Sequence, residues 1–167
     1  MQHPLSLLGT IHTAISIVAL VFAAIALIRS GKIEPYSANG KYYSIFTALS
    51  CISAFGLSRA GGFNPGHALA ILILVLLAVA YFVGSRPAAA GWGAYLIVFC
   101  MNTTLLLSLL PAVNETFTRV PLSHPLATDI NSPAIQNTLK GLLLVYVISL
   151  VLQFRQIWKG RQVAAGK

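Results

Sequence analysis

Charge is what this chain has least of. Only 8% of its 167 residues are Asp, Glu, Lys or Arg, and three of them are acidic. A soluble domain carries about 25% charged residues because its surface must be hydrated, so this composition excludes an ordinary water-soluble fold. Cysteine is also scarce. Cys51 and Cys100 each lie inside an apolar run and neither belongs to a CxxC pair, which excludes a redox motif or zinc site of that kind and leaves both as packing residues. There is no HxH, HxxxH or methionine cluster, and no internal repeat. No Ser-His-Asp order, HExxH pair or phosphate-binding loop occurs either, so the chain is not expected to be an enzyme.

What fills the chain is apolar. Hydrophobic residues make up 57% of it, and the mean hydropathy is +0.81. Five runs stand out: Leu5–Ile28, Tyr42–Ser58, His67–Gly84, Ala94–Val113 and Ile135–Phe154. About 20 apolar residues at 1.5 Å per residue cross the ~30 Å hydrocarbon layer of a bilayer. The period-two alternation of a membrane barrel is missing, so the runs predict helices whose backbones are satisfied internally. The expected fold is all-α, an integral membrane five-helix bundle in one domain. Its second run is the most polar, with Ser44, Thr47, Ser50, Cys51, Ser53 and Ser58, and suits the inside of a bundle. No basic residue precedes the first run, which exceeds the roughly 7–15 residues of a leader core, so it is expected to remain as a span.

The net charge of +8 would suggest nucleic acid in a soluble protein, but the positions of the charges argue against it. Five spans place Arg29, Lys32, Lys41, Arg86, Arg155, Lys159, Arg161 and Lys167 on one side. Only Arg59 and Arg119 fall opposite, with Lys140 inside the fifth run. This positive-inside bias predicts an outer N-terminus and a cytoplasmic C-terminus. Tyr42, Tyr43, Trp92, Tyr95 and Trp158 then fall at the cytoplasmic interface as anchors.

Most connections are short and force antiparallel neighbours. The exception is the long outer loop 114–134, which contains Glu115, Arg119, His124 and Asp129 and is expected to lie over the outer face of the bundle. Ser132-Pro133 reads as cap and first turn of the last helix. Small and polar residues recur at helical spacing: Ser6, Gly9, Thr13 and Ser16 in the first run; Ser44, Thr47, Cys51, Ala54 and Ser58 in the second; Cys100, Thr104 and Ser108 in the fourth. Helix packing explains most of them. Asn102 sits near mid-bilayer, where an unpaired amide is costly, and should face the interior.

All four histidines, His3, His12, His67 and His124, fall on the outer side. His12 lies about two turns, ~10 Å, inside the first helix, and His67 opens the third. An intramembrane ionisable residue is a candidate for function by default. His12 reads as a buried polar contact or a ligand, and His67 as a rim contact. Glu115 and Arg119, four apart, would pair on a helical turn as a clamp. Lys140 can snorkel towards Glu115. Bis-histidine haem ligation by His12 and His67 needs both rings at one depth and facing each other. A copper or zinc site needs three converging ligands. No cofactor is predicted; haem stays open as the alternative.

At these residues the chain resembles a group of small bacterial inner-membrane proteins. The stretches are Leu8-Gly-Thr-Ile-His12-Thr, Gly40-Lys-Tyr-Tyr43, Gly61-Gly-Phe63 through His67-Ala-Leu69, Pro111 through Glu115-Thr, and Arg119-Val-Pro121. The resemblance implies a multi-span protein of the bacterial inner membrane and no established activity. The leading expectation is a non-enzymatic accessory protein that binds a small or lipidic ligand, or a partner subunit, through its outer-leaflet face. Membrane lipid, a larger membrane complex or a second copy are its expected partners. Two other classes stand beside it: an electron-transfer protein using His12 and His67 with haem or quinone, and a small transporter. Against the transporter, there is no inverted repeat and no mid-bilayer acid.

Overall fold

The computed structural model describes residues 6–57, 62–121 and 123–165. They form five α-helices: α1 (Leu7–Ser30), α2 (Ala38–Ala54), α3 (Pro65–Gly84), α4 (Gly93–Arg119) and α5 (Pro133–Ala165). A 3-10 turn, Pro87–Ala90, joins α3 to α4, and no strand occurs among the described residues. Four helices, α1, α3, α4 and α5, are long and apolar enough to cross a membrane. The fifth expected span is different. α2 has 17 residues, and its polar stripe lowers its hydropathy below that of its neighbours.

Local chemistry sets the boundaries. Ser6 caps α1 by accepting from the Gly9 amide at 3.1 Å, and Gly31 ends the helix in the left-handed region at φ 69°, its N–H donating to the Leu27 carbonyl. Asn64 caps α3 and Pro65 follows it, a residue whose missing N–H costs nothing at a helix start. α2 opens four residues before its apolar run. Ser37 accepts from the Gly40 amide at 3.0 Å and donates to the Glu34 carbonyl at 2.9 Å.

Two helix ends run beyond the apolar runs that mark them. α4 passes Pro111 and continues to Arg119, so the connection to α5 is 120–132 instead of 114–134. Glu115 and Arg119 pair across one turn of that extension, and the Thr118 hydroxyl donates to the Asn114 carbonyl. α5 likewise continues past Phe154 through Arg155, Lys159 and Arg161. Hydropathy reports where a helix leaves an apolar layer, not where its backbone stops being helical.

The antiparallel pair α1–α2 is stitched by Ser16 and Ser50, whose hydroxyls lie 2.7 Å apart, and by Phe22 stacked on Tyr42 and Phe46. Ala19, Ala23 and Ala26 of α1 are buried, small enough to let a neighbouring backbone approach closely. α3 turns Ala70, Ile73, Leu77 and Ala80 inward, one face of a helix. They share a core with Cys51 of α2 and with Cys100 and Met101 of α4. Tyr43, expected at the interface beside Tyr42, is fully buried instead, its hydroxyl 2.8 Å from that of Thr104 on α4. Adjacent residues sit about 100° apart on a helix, so one Tyr faces out and the other in. Tyr42, Trp92 and Trp158 are exposed.

α5 packs along α4. Asn102 and Gln153 are both buried and exchange amide hydrogen bonds at 2.9 and 3.2 Å, with Ser149 accepting from Gln153 at 2.7 Å. Thr103 and Tyr146 meet at 2.8 Å, and Tyr95 lies edge-on to Phe154. The connection before α5 folds back on α4: the Ala127 amide donates to the Phe117 carbonyl, and Ala127 and Ile135 are buried. The Ser132 carbonyl accepts the first helical bond of α5, from Gln136, while its hydroxyl accepts from the Thr128 and Asp129 amides and braces the loop.

Gly40 is held against the main chain of the preceding connection. A Cβ there would stand 1.7 Å from the Glu34 carbonyl oxygen, a main-chain atom that cannot swing aside. Gly40→Ala should therefore cost about 2–3 kcal/mol, lowering the melting temperature of the detergent-purified protein by roughly 5–10 °C. Gly160→Ala, where a Cβ meets open space, should leave it unchanged.

Candidate functional site

Alternating helix directions bring one end of α1, α2, α3, α4 and α5 together, and most of the singled-out residues lie at that end. His12 is one to two turns into α1 and half-buried. Its Nδ1 lies 3.1 Å from the Ser50 carbonyl oxygen and 2.9 Å from the Ser53 hydroxyl, both on α2. A carbonyl only accepts, so Nδ1 carries the hydrogen. The Ser53 hydroxyl already donates to the same carbonyl at 2.8 Å and is left to accept from the ring. A neutral His12 therefore keeps its lone pair on Nε2. The chain also ties His12 from behind, through its own carbonyl, which accepts from Ser16 at 2.7 Å.

His67 is buried in the first turn of α3. Its ring packs against Phe55 at the end of α2 and edge-on to Phe63, with centroids 5.4 and 5.7 Å away. Asn64 caps its amide at 3.1 Å, and the Asn64 Nδ2 donates to Nε2 at 3.4 Å. The two rings thus hold α2 from different sides: His12 from α1, against residues 50 and 53, and His67 from α3, against Phe55. They are not brought face to face.

Glu115 and Arg119 form an ion pair in the last turns of α4, with Glu115 more exposed than Arg119. The pair lies at the same end of the bundle as His12, since α4 ends where α1 begins. Lys140 is exposed on α5 and forms no ion pair among the described residues, so Glu115 is matched by Arg119 instead. His124 is exposed in the connection to α5. His3 and Arg59 lie outside the described residues. No three side chains of His, Cys, Asp or Glu gather among the described residues.

Several residues that hold this arrangement escaped the sequence reading. Ser50 and Ser53 appear there only as diluting polar residues, yet they are the partners of His12. Gln153, unremarked within the fifth run, is the partner of Asn102. One buried hydroxyl, Thr47 Oγ1, and one buried amide oxygen, Asn114 Oδ1, have no hydrogen-bond partner among the described residues.

The His12–Ser53 contact can be measured directly. His12→Ala and Ser53→Ala should each lower thermal stability, and the double variant should lose less than the sum. The coupling should be about 0.6–1.7 kcal/mol, the range of interhelical hydrogen bonds in membranes. Strict additivity would mean that the contact between the ring and Ser53 contributes nothing.

Compared with known proteins, the chain matches no family model, no curated protein and no solved structure.

Proposed function

We propose that this is a multi-pass protein of the bacterial inner membrane, with its N-terminus outside and its C-terminus in the cytoplasm, acting as a non-enzymatic accessory subunit. It binds a small or lipidic ligand, or a partner subunit, through the end of the bundle that carries His12, His67, Glu115, Arg119 and His124. In this reading α2 is the fifth span: at 1.5 Å per residue it covers about 26 Å, a little short of the hydrocarbon layer. Its hydroxyls turn towards α1 and α4, where lipid does not reach them.

One observation carries the reading. In a chain with three acidic residues, a carboxylate and a guanidinium stand paired at the rim of the end where His12 and His67 are fixed. His12 is bonded to α2 and His67 is packed on Phe55, which steadies that end, and the Glu115–Arg119 pair stands exposed beside them. A charged clamp on a steadied base suits recognition of a polar head group or a partner's charged residue.

Native mass spectrometry of protein extracted from its own membranes in mild detergent tests this. A bound species is expected on the wild type, and it should fall at least several-fold on Glu115→Gln together with Arg119→Gln, with helix content and melting temperature retained. An unliganded wild type, or equal occupancy in both proteins, would sink the proposal.

A second reading rests on the His12 Nε2 lone pair, which is what a haem iron takes and what a quinol hydroxyl donates to. A reduced-minus-oxidised visible spectrum distinguishes it. Soret and alpha bands at near-stoichiometric iron, lost in His12→Ala, are the expected signature, and a flat spectrum from folded protein removes haem.

A further inference from the structure

The opposite end of the bundle holds a groove that the reading above does not use. It has a volume of about 570 Å³ and lies between α2 and α3. It is an open groove on the helix surface, not an enclosed cleft. Ile45 and Ala48 of α2 and Leu74 and Ala78 of α3 form its apolar walls, with Lys41 at one end and Tyr81 beside it. The small side chains of Ala48 and Ala78 make the depression. Leu74 lies two turns, about 10 Å, from Tyr81, so the groove runs from the end of α3 well into its apolar length.

The mouth is built. The Tyr36 hydroxyl donates to the Tyr81 carbonyl at 2.9 Å, and the Tyr81 hydroxyl donates to the Pro35 carbonyl at 2.8 Å. Their rings lie edge to face at 5.2 Å. Gly84 lets Tyr36 sit close, since a Cβ there would come within 2.8 Å of the ring. This latch ties the α1–α2 connection to the end of α3 and fixes the rim.

Charge at the mouth has one sign. Glu34, the only acidic residue on this side, is paired with Lys32 at 2.7 Å. Lys41 is exposed and has no ion pair among the described residues. Arg29, in the last turn of α1, and Arg86, just past the end of α3, belong to the same end of the bundle. An apolar slot that opens beside an unmatched ammonium is complementary to a molecule with an acyl chain and an anionic head.

We propose that the α2–α3 groove is a binding site for an anionic phospholipid, its acyl chain lying along Ile45, Ala48, Leu74 and Ala78 and its phosphate at Lys41. The site needs α3 to span the membrane and does not depend on what binds at the histidine end. Lys41 supplies selectivity among head groups; the alanines supply room for the chain. A lysine near an anionic lipid head is worth about 1 kcal/mol, which corresponds to about fivefold in occupancy.

The test is native mass spectrometry of the full chain, delipidated and titrated with dioleoyl phosphatidylglycerol or dioleoyl phosphatidylcholine. Wild type should carry more phosphatidylglycerol than phosphatidylcholine. Lys41→Gln should cut phosphatidylglycerol about fivefold and leave phosphatidylcholine unchanged. Ala78→Phe, which fills the groove from an exposed position, should lower both, while Arg161→Gln, the same charge change away from the groove, should lower neither. Melting curves establish that each variant is folded. Equal binding of the two lipids to wild type, equal losses in Lys41→Gln and Arg161→Gln, or full binding in Ala78→Phe would each overturn the proposal.

Discussion

The hydrogen bonds that α2 makes to its neighbours are the constraint on which the arrangement of the first four helices depends. Helices in an apolar solvent gain little from burying apolar surface against each other, so polar contacts and close backbone approach decide how they pack. α2 supplies the polar contacts. Its Ser50 and Ser53 hold His12 and Ser16 of α1, and its Tyr43 holds Thr104 of α4. α3 completes the set without such a bond along its length, through His67 at one end of α2 and the Tyr36–Tyr81 latch at the other. The least apolar of these four helices is therefore the one that the others are organised around.

That role explains what was legible in the sequence. Runs of apolar residues locate helices because lipid admits few charges, and four of the five lie on helices able to cross a membrane. Polarity of the second run points to its interior place, since hydroxyls facing lipid would be unsatisfied. Which hydroxyl meets which partner is not legible, because a serine stripe has the same composition whichever neighbour it faces. Tyr43 shows the limit. Paired with Tyr42 it reads as an interfacial anchor, and only the helical rotation set by α1 and α4 tells the two apart. Helix ends fail for another reason. Glu115, Arg119 and the residues after Phe154 are polar, and polarity marks the edge of an apolar layer while backbone bonding carries on through it.

The site was legible in its parts and not in its geometry. Alternation of helix directions is enough to gather His12, His67, Glu115 and Arg119 at one end. It says nothing about what each ring touches. His12 and His67 look like a pair from the sequence, being the two histidines on helices, yet His12 is hydrogen-bonded to Ser50 and Ser53 of α2 while His67 packs on Phe55 at its C-cap. Whether two such rings could share a ligand depends on contacts of this kind, which composition and spacing do not carry. What α2 leaves to His12 is a single lone pair, at Nε2.

α5 follows from the same physics by contrast. Only 6% of its most apolar stretch is buried, against 17–33% for the other three spanning candidates. Leu143, Leu144, Val147, Ile148 and Val151 are exposed along it. In water such a helix would be held by burial; in lipid those side chains gain nothing by turning inward. Its attachment to α4 therefore falls on Asn102, Gln153 and Ser149 in one cluster and on Thr103 and Tyr146 in another. Gln153 is buried, so losing Asn102 would take the donor from its carbonyl oxygen in an apolar setting, and turning it towards lipid would cost as much. Two amides that can satisfy each other only in one rotation and one register specify how α5 lies on α4, although they contribute almost nothing to its hydrophobic burial.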